Sequence, residues 1–312
     1  MFTPKQWLVI FAGGSASAIL FGLAALGSFG GILLAYFCQL PLFIIGLSMG
    51  TTASVIAGAI AGAGIWILGG LFGVLMFVIF NVAPAVILVR QYLLSRPMGN
   101  GQIEWYPCGL LATGGTFIGV GLLAVVFIWF ALRAEGTETV IRDYLDQFTD
   151  QMLSHLSPSE RANIVDSAVP ILPGSLGLSW LVMLVINGSL AHSLVARLGW
   201  NIRPTLNFVM MELPAYLPIV VAVMLVAAIF LPGTVGYFVS NAAIILALPF
   251  FLVGLAVVHL IARRMSAGIM LIIFFYILMF VFGWPVVFIV FLGLIEQLVG
   301  LRQRFAPNGT ED

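Results

Sequence analysis

Ten long apolar blocks divide the chain, and they limit its fold more than any single motif does. A helix needs about 20 apolar residues to cross the hydrocarbon core of a bilayer. With 62% apolar and 8% charged residues in 312 positions, the chain does not resemble a soluble domain of that size. We therefore predict an all-α, polytopic membrane protein embedded in the lipid bilayer. The predicted spans are residues 8–28, 30–49, 51–68, 70–92, 108–132, 171–196, 213–231, 238–261, 267–282 and 285–301.

Short turns rich in glycine and proline separate several of these blocks. They lie at Gly27 to Gly31, Gly50-Thr51, Gly69-Gly70 and Gly283-Trp284-Pro285. If two short blocks shared one crossing, the number of spans would change by a pair. Pro41 and Pro249 occupy the same position in two similar octapeptides that begin at Leu40 and Leu248. They predict similar proline breaks in the second and eighth spans.

The distribution of basic residues predicts the orientation. If the N-terminus lies inside, most basic residues fall in cytoplasmic segments, which is the side that positive charges favour. The cytoplasmic set is Lys5, Arg90, Arg96, Arg197, Arg203, Arg263, Arg264, Arg302 and Arg304, and the external set is Arg133, Arg142 and Arg161. We predict ten spans with both termini in the cytoplasm.

Residues 133–170 form the one substantial segment predicted to lie outside the bilayer. The segment carries seven acidic residues against three arginines. Apolar residues recur at helical spacing from Ile141 to Met152, and Ser157-Pro158-Ser159-Glu160 has the form of a capping box that begins a second helix ending near Ala168. We predict an external, acidic, amphipathic helical hairpin. It rests on the outer ends of the membrane helices, or it serves as a lid or as a docking surface.

This pattern predicts four consecutive ranges along the chain. They are a glycine-rich membrane region of five spans at 1–132, the external hairpin at 133–170, five further spans at 171–301, and a cytoplasmic tail at 302–312.

Polar side chains inside predicted spans are candidates for a binding site, because they cost free energy unless they find a partner. Gln39 and Asn81 fall near the middle of the second and fourth spans, and Asn187 lies deep in the sixth. We predict that these three residues bind a small molecule. The alternative is that each forms a hydrogen bond between helices, which stabilises packing by about 0.6 to 2 kcal/mol.

Two further sets of residues suggest sites. Four ionisable residues map to cytoplasmic ends of spans and predict a polar cluster there, although solvation at the interface explains them equally well: His192, Glu212, His259 and Glu296.

Small residues in the first span predict a face that packs against a partner protein, with internal packing as the alternative. These are Ala12, Gly14, Ala16, Ala18 and Gly22, and a similar ladder runs through Ala57, Gly58, Ala61 and Gly62.

Motifs for catalysis are absent from the sequence. There is no HExxH zinc motif, no GxSxG nucleophile elbow and no GxxxxGK[ST] phosphate loop. Cys38 and Cys108 are predicted to be free thiols, and no Cys/His cluster has the spacing of a metal site. We expect no enzymatic activity, no cofactor, no bound metal and no nucleic-acid partner.

Several short motifs together carry a resemblance to a known family. They are the stretch from Leu40 to Gly50, Trp105-Tyr106-Pro107-Cys108-Gly109, Glu212-Leu213-Pro214, and the closing segment from Gly293 to Arg304. This set resembles the YybS-like family of uncharacterised bacterial membrane proteins, with Glu296 in place of the aspartate usual in that family. Over its glycine-rich N-terminal helices that family is similar to substrate-capture subunits of energy-coupling-factor transporters and to rod-shape proteins of the MreD type. The resemblance implies the bacterial inner membrane.

These observations lead to three functional expectations. The first is a non-enzymatic membrane subunit that binds a small ligand among Gln39, Asn81 and Asn187 and takes its energy from an energising partner protein, because the chain has no nucleotide site of its own. The second is a membrane scaffold for cell-envelope machinery. The third is a stand-alone secondary transporter, which the small number of ionisable residues within the spans makes the weakest of the three.

The predicted orientation can be tested with reporters fused after Asp312. We expect green fluorescence from a C-terminal fluorescent protein and no activity from alkaline phosphatase at the same position, because an even number of spans returns the C-terminus to the cytoplasm. Phosphatase activity at this position would contradict the topology.

Overall fold

The computed structural model describes residues 2–99, 101–132, 136–205, 211–300 and 302, and most of them are helical. The α-helices are α1 (Pro4–Gly22), α2 (Phe29–Ala35), α3 (Leu40–Met49), α4 (Thr51–Phe77), α5 (Ala83–Tyr92), α6 (Cys108–Ala131), α7 (Thr137–Met152), α8 (Pro158–Ala168), α9 (Leu172–Arg197), α10 (Leu217–Phe230), α11 (Gly233–Leu246), α12 (Leu248–Ala262), α13 (Gly268–Phe282) and α14 (Pro285–Val299). A 3-10 helix covers Leu23–Leu26, and a π-helix covers Val78–Val82.

One small sheet departs from the predicted all-α class. Strands β1 (Ser95–Pro97) and β2 (Ile103–Trp105) pair antiparallel between α5 and α6, with Arg96 opposite Glu104. Gly101 adopts a φ of 79° in the connecting turn, a conformation that glycine reaches without steric cost. The sequence signal was the glycine pair around Asn100, which is typical of a hairpin turn.

Within the described ranges, six helical stretches are long and apolar enough to cross a membrane: Pro4–Leu26, Phe29–Met49, Thr51–Tyr92, Cys108–Ala131, Leu172–Arg197 and Gly233–Ala262. Three shorter apolar helices are α10, α13 and α14. This result confirms a helical membrane protein. The count of ten spans stays a prediction, because length and composition alone do not decide whether a short helix crosses by itself.

The glycine turns predicted from the sequence are confirmed as helix boundaries or breaks. Gly27, Gly50 and Gly283 have φ angles of 63°, 95° and 68° and separate successive helical segments. Gly70, with φ 58° and ψ −159°, interrupts α4. A side chain with a Cβ is strained at such positive φ values, so glycine marks each of these points.

Both predicted proline breaks are also present. Residues 36–39 form turns between α2 and α3, and Ala247 separates α11 from α12. In each case the helix that follows has proline in its first turn, Pro41 in α3 and Pro249 in α12. Proline suits this position because its missing N–H would have no helical acceptor there.

The chain forms two compact units. The four consecutive ranges predicted from the sequence stay a prediction. Unit 1 contains Met1–Gly115 and Val182–Leu206, and unit 2 contains Thr116–Leu181 and Asn207–Asp312. Helices α6 and α9 contribute residues to both units, because the division follows spatial contacts rather than chain order.

In unit 1, the small residues of α1 pack against α4 of the same chain. A Cβ on Gly14 would collide with the Ala57 carbonyl oxygen and with Ile60, and Gly64 lies against the Ala18 methyl group. Gly22 faces Leu68. The residue numbers of these contacts rise together along α1 and α4, so the two helices run parallel.

The alternative of internal packing accounts for three of the five residues predicted to face a partner protein. Gly14 and Ala18 are buried and, with Gly22, have a neighbour in α4. Ala12 is exposed, and Ala16 and Gly22 are half-buried, so a partner-packing face on this part of α1 stays a prediction. Small residues signal close helix contact, but they do not specify which helix makes it.

Unit 2 contains an equally close contact between α12 and α14. Gly254 lies against the backbone carbonyl of Ile289, and Gly293 lies against that of Phe250. The partner numbers fall along one helix as they rise along the other, so the two helices are antiparallel. Any side chain larger than hydrogen at either glycine would force the backbones apart.

Helices α7 and α8 lie in the segment predicted to be external. Ion pairs join Arg142 to Asp166 and Arg161 to Asp150. The capping box predicted for α8 is confirmed, because Ser157 and Glu160 exchange hydrogen bonds between side chains and backbone. These hydrogen bonds favour the ionised carboxylate and lower the pKa of Glu160.

The apolar face of α7 is only partly covered. Val140 is buried, but Phe148 and Met152 are 55% and 65% exposed. Ile141 and Leu145 on the same helix are half-buried. The contact of this face with the outer ends of the membrane helices stays a prediction.

The glycine contact between α12 and α14 generates a stability prediction. Gly293→Ala should lower the thermal unfolding temperature in detergent, because overpacking costs about 1–3 kcal/mol and outweighs the gain in helix propensity. Gly121→Ala in α6 is the matched control, since a Cβ there meets no atom within 4 Å. We expect the control to unfold at or above the wild-type temperature. Equal stability of the two variants would contradict the packing argument.

Candidate functional site

The break between α2 and α3 exposes backbone carbonyls that side chains must satisfy. In an apolar environment an unpaired carbonyl costs several kcal/mol, on the order of a lost hydrogen bond or more. Ser17 Oγ donates to the Cys38 carbonyl at 2.6 Å, and Asn187 Nδ2 donates to the Tyr36 carbonyl at 2.7 Å. Both donors come from other helices, α1 and α9, so the break organises unit 1 around it.

The π-helix supplies a second set of polar groups at this break. Pro84 has no N–H, so the Phe80 carbonyl four residues earlier lacks its usual helical donor. Gln39 Nε2 donates to this carbonyl at 3.1 Å and to Asn81 Oδ1 at 3.3 Å. Cys38 Sγ donates to the same Asn81 oxygen at 3.1 Å.

Hydrogen bonds link four of these residues, and Asn187 bonds to the Tyr36 carbonyl at the same break; we call the five residues the polar cluster. Its members are Ser17, Cys38, Gln39, Asn81 and Asn187, and all of them are buried. The three residues predicted to bind a ligand thus surround one helix break in unit 1. Ser17 and Cys38 were visible in the sequence as small polar residues within spans, but nothing in their spacing connected them to the other three.

Two acceptors of the polar cluster have no hydrogen-bond partner in the described structure. They are Gln39 Oε1 and Asn187 Oδ1, both fully enclosed by protein atoms. Leaving a buried acceptor unpaired costs about 1–3 kcal/mol. The backbone carbonyls at the break need only a hydrogen-bond donor, and a hydroxyl such as that of Ser17 provides one. The amide oxygens of Gln39 and Asn187 are therefore not needed to satisfy the backbone.

Asn241 in unit 2 shows how a buried asparagine looks when its role is structural. Its Nδ2 donates to the Tyr237 carbonyl, four residues earlier, and to the Pro170 carbonyl. Asn187 makes the same two kinds of bond, to Met183 and to Tyr36. However, Asn241 Oδ1 also accepts from the Gly174 N–H at 2.7 Å, whereas Asn187 Oδ1 has no such donor.

The unpaired oxygens define the chemistry that the polar cluster favours. Amide oxygens accept hydrogen bonds and do not donate them. The cluster contains no carboxylate and no basic side chain. A hydroxyl or N–H group at either oxygen would satisfy that acceptor, whereas an uncompensated charge would be costly at such a buried position.

An apolar groove lies beside the polar cluster in unit 1. It has a volume of about 330 Å³ and is lined by small and aliphatic residues and Trp66, from segments 58–66 and 74–82 on either side of the break at Gly70. None of the three predicted binding residues lines it. Its surface suits hydrocarbon rather than a polar ligand.

Three of the four residues predicted to form a cytoplasmic cluster lie in unit 2. His259 Nδ1 lies 2.8 Å from the Leu255 carbonyl of its own helix, and Glu212 is exposed. Glu296 is buried and pairs with Arg302 at 2.7 Å. The predicted cluster stays a prediction.

His192, the fourth member, lies in unit 1 with different neighbours. Its Nδ1 is 2.9 Å from the hydroxyl of Tyr92, at the end of α5. The guanidinium of Arg203 stands over the Tyr92 ring at 4.8 Å and over the Trp105 ring at 5.7 Å. The sequence analysis missed this group, because Arg203 had been interpreted only as a marker of orientation.

Together, the apolar helices and the polar cluster at a helix break define an integral membrane protein with several helices. The chain belongs to the family of predicted membrane proteins called DUF2232, whose model matches residues 15–296. No curated protein and no solved structure matches it. The family description agrees with a membrane protein and names no activity.

The contrast between the two thiols generates a labelling prediction. Cys38 is 1% exposed and hydrogen-bonded, whereas Cys108 is half-buried at the start of α6. In single-cysteine variants, we expect N-ethylmaleimide to modify Cys108 much faster than Cys38, because burial prevents approach of the reagent. Both should react equally after denaturation in sodium dodecyl sulfate. Fast labelling of Cys38 in the folded protein would contradict a closed polar cluster.

Proposed function

We propose that this protein is a non-enzymatic membrane subunit that binds a small, neutral molecule at the polar cluster of unit 1. The observation that supports this most directly is the pair of buried, unpaired acceptors, Gln39 Oε1 and Asn187 Oδ1. In membrane proteins, broken helices often form ligand sites, because their free backbone groups and nearby polar side chains are held away from lipid.

The contrast with Asn241 supports this assignment over a purely structural role. The two asparagines bridge a broken backbone in the same way, yet one acceptor is completed by the Gly174 N–H and the other is left for a further donor. A ligand with hydroxyl or N–H groups would complete the hydrogen bonds of Asn187 as Gly174 completes those of Asn241.

The surroundings of the subunit form part of the same proposal. We place the protein in the bacterial inner membrane with ten spans, cytoplasmic termini and an external hairpin at 133–170. Because the sequence has no nucleotide-binding loop, energy for transport would come from a partner protein. The resemblance to substrate-capture subunits supports this division of labour.

Small-molecule mass spectrometry of the protein purified from native membranes tests the proposal. We expect a stoichiometric metabolite with hydrogen-bond donors to accompany the wild type. Asn187→Ala and Asn81→Ala should reduce its retention by about tenfold, which corresponds to the loss of one or two buried hydrogen bonds. Retention equal to wild type in both variants would show that the site lies elsewhere.

Asn241→Ala is the matched control for this experiment. It also removes a buried asparagine and leaves more hydrogen bonds unmet than Asn187→Ala does, so it should lower thermal stability at least as much. Because Asn241 belongs to unit 2, retention per folded molecule should remain at the wild-type level. If all three variants lost the metabolite in proportion to their stability, the effect would reflect unfolding and not binding.

A scaffold for envelope machinery is the second candidate, and the exposed face of α7 favours it. Tyr144, Phe148 and Met152 form an exposed apolar stripe at four-residue spacing. A partner protein could cover this stripe. Deleting residues 137–168 separates the two functions. Loss of co-purifying proteins with the fold intact would support a scaffold, whereas loss of the metabolite alone would support ligand binding.

A further inference from the structure

Arg203 in unit 1 is a buried cation that lies next to two aromatic rings. Only 6% of the residue is exposed, and its guanidinium lies over the rings of Tyr92 and Trp105. Its Nη1 donates to the Tyr92 carbonyl at 3.0 Å. Aromatic rings stabilise a guanidinium from above and below, and they leave the in-plane N–H groups at its edge for other acceptors.

Most of these edge donors have no acceptor within the described ranges. A guanidinium carries five N–H donors, and only the bond to Tyr92 is formed. No carboxylate of the described residues forms an ion pair with it. Burial without a counter-charge lowers the pKa of Arg203, which is the expected effect of desolvating a cation.

Unit 1 as a whole lacks negative charge to neutralise this cation. It contains five basic residues and one acidic residue, Glu104, which is already paired with Arg96 on the small sheet. Arg90 and Arg197 are exposed near the ends of α5 and α9. Arg203 therefore lies in a positively charged region whose only acid is engaged elsewhere.

The position of Arg203 indicates where an anion would come from. Its partner Tyr92 is the last residue of one apolar stretch, and His192, which contacts Tyr92, lies one turn before the end of another. The ends of membrane-spanning helices coincide with the headgroup layer of the bilayer. Lipid phosphates are concentrated at that depth, and a guanidinium edge binds phosphate through two parallel N–H bonds.

We propose that Arg203 binds the phosphate group of an anionic lipid headgroup, held in place by Tyr92 and Trp105. This site is separate from the polar cluster and does not depend on the proposed ligand. Arg203 supplies the charge and the in-plane donors, and Arg90 and Arg197 raise the local concentration of anionic lipid.

Native mass spectrometry and thermal unfolding of the full-length protein test the site. Protein in detergent is supplied with phosphatidylglycerol, with phosphatidylcholine, or with inorganic phosphate. We expect phosphatidylglycerol to remain bound and to raise the unfolding temperature more than phosphatidylcholine does. Arg203→Gln should weaken the phosphatidylglycerol effect by about tenfold, whereas Arg197→Gln, with the same change in charge at an exposed position, should change it by less than about threefold.

The other outcomes are equally decisive. Stabilisation by inorganic phosphate alone, with no preference between the lipids, would keep the phosphate site but assign it to a soluble anion and overturn the lipid assignment. Wild-type protein that shows no preference for phosphatidylglycerol and no response to phosphate would overturn the proposal altogether. Equal effects of Arg203→Gln and Arg197→Gln would show that only general surface charge attracts the lipid.

Arg203→Lys covers the case in which Arg203→Gln fails to fold. Lysine keeps the charge and one donor toward Tyr92, but it lacks the planar fork. We expect this variant to fold and to bind phosphatidylglycerol more weakly than wild type. A folded Arg203→Lys with unchanged lipid preference would show that positive charge alone holds the phosphate, and it would overturn the two-bond contact with the guanidinium edge.

Discussion

The need to satisfy backbone carbonyls in an apolar environment determines how unit 1 is organised. Two interruptions of its helices, at residues 36–39 and at Pro84, leave backbone carbonyls that side chains must satisfy. Side chains from α1, α9 and the break itself supply the missing hydrogen bonds. A polar cluster thus forms in the interior of a chain that is otherwise almost entirely apolar, and it brings together helices that are distant in sequence.

The same requirement appears in unit 2 with a different outcome. There, Asn241 and Tyr237 satisfy the carbonyls of Pro170 and Val169 ahead of α9, and Asn241 uses its own oxygen as well. The bridging asparagine of unit 2 is therefore hydrogen-bonded through both its nitrogen and its oxygen, while Gln39 and Asn187 of unit 1 retain unmet acceptors. Hydrogen-bonded polar groups are common both at binding sites and at structural supports. The unpaired oxygen is therefore what distinguishes the candidate binding site at Asn187 from the structural support at Asn241.

Predictions from the sequence were confirmed where a local physical requirement selects one or a few residue types. Gly70 and Gly283 were recognised as turns because positive φ excludes most other residues, and Ser157 with Glu160 was recognised as a helix cap because the motif is local. Sequence reasoning left open the groups that depend on which helix faces which. For the ladder at Gly14 it allowed either a partner protein or internal packing, and the structure shows this ladder against α4. The pairing of Glu296 with Arg302 was likewise visible only in the structure.

By itself, the sequence determined that this is a helical membrane protein, where many of its helices end, and that Gln39, Asn81 and Asn187 are polar residues in apolar segments. Those properties follow from local composition and spacing. Only the tertiary structure decided that these three residues share one helix break, that two of their oxygens lack donors, and that Arg203 is buried between aromatic rings without an acid. Each of these depends on contacts between residues far apart in the chain, which no local pattern records.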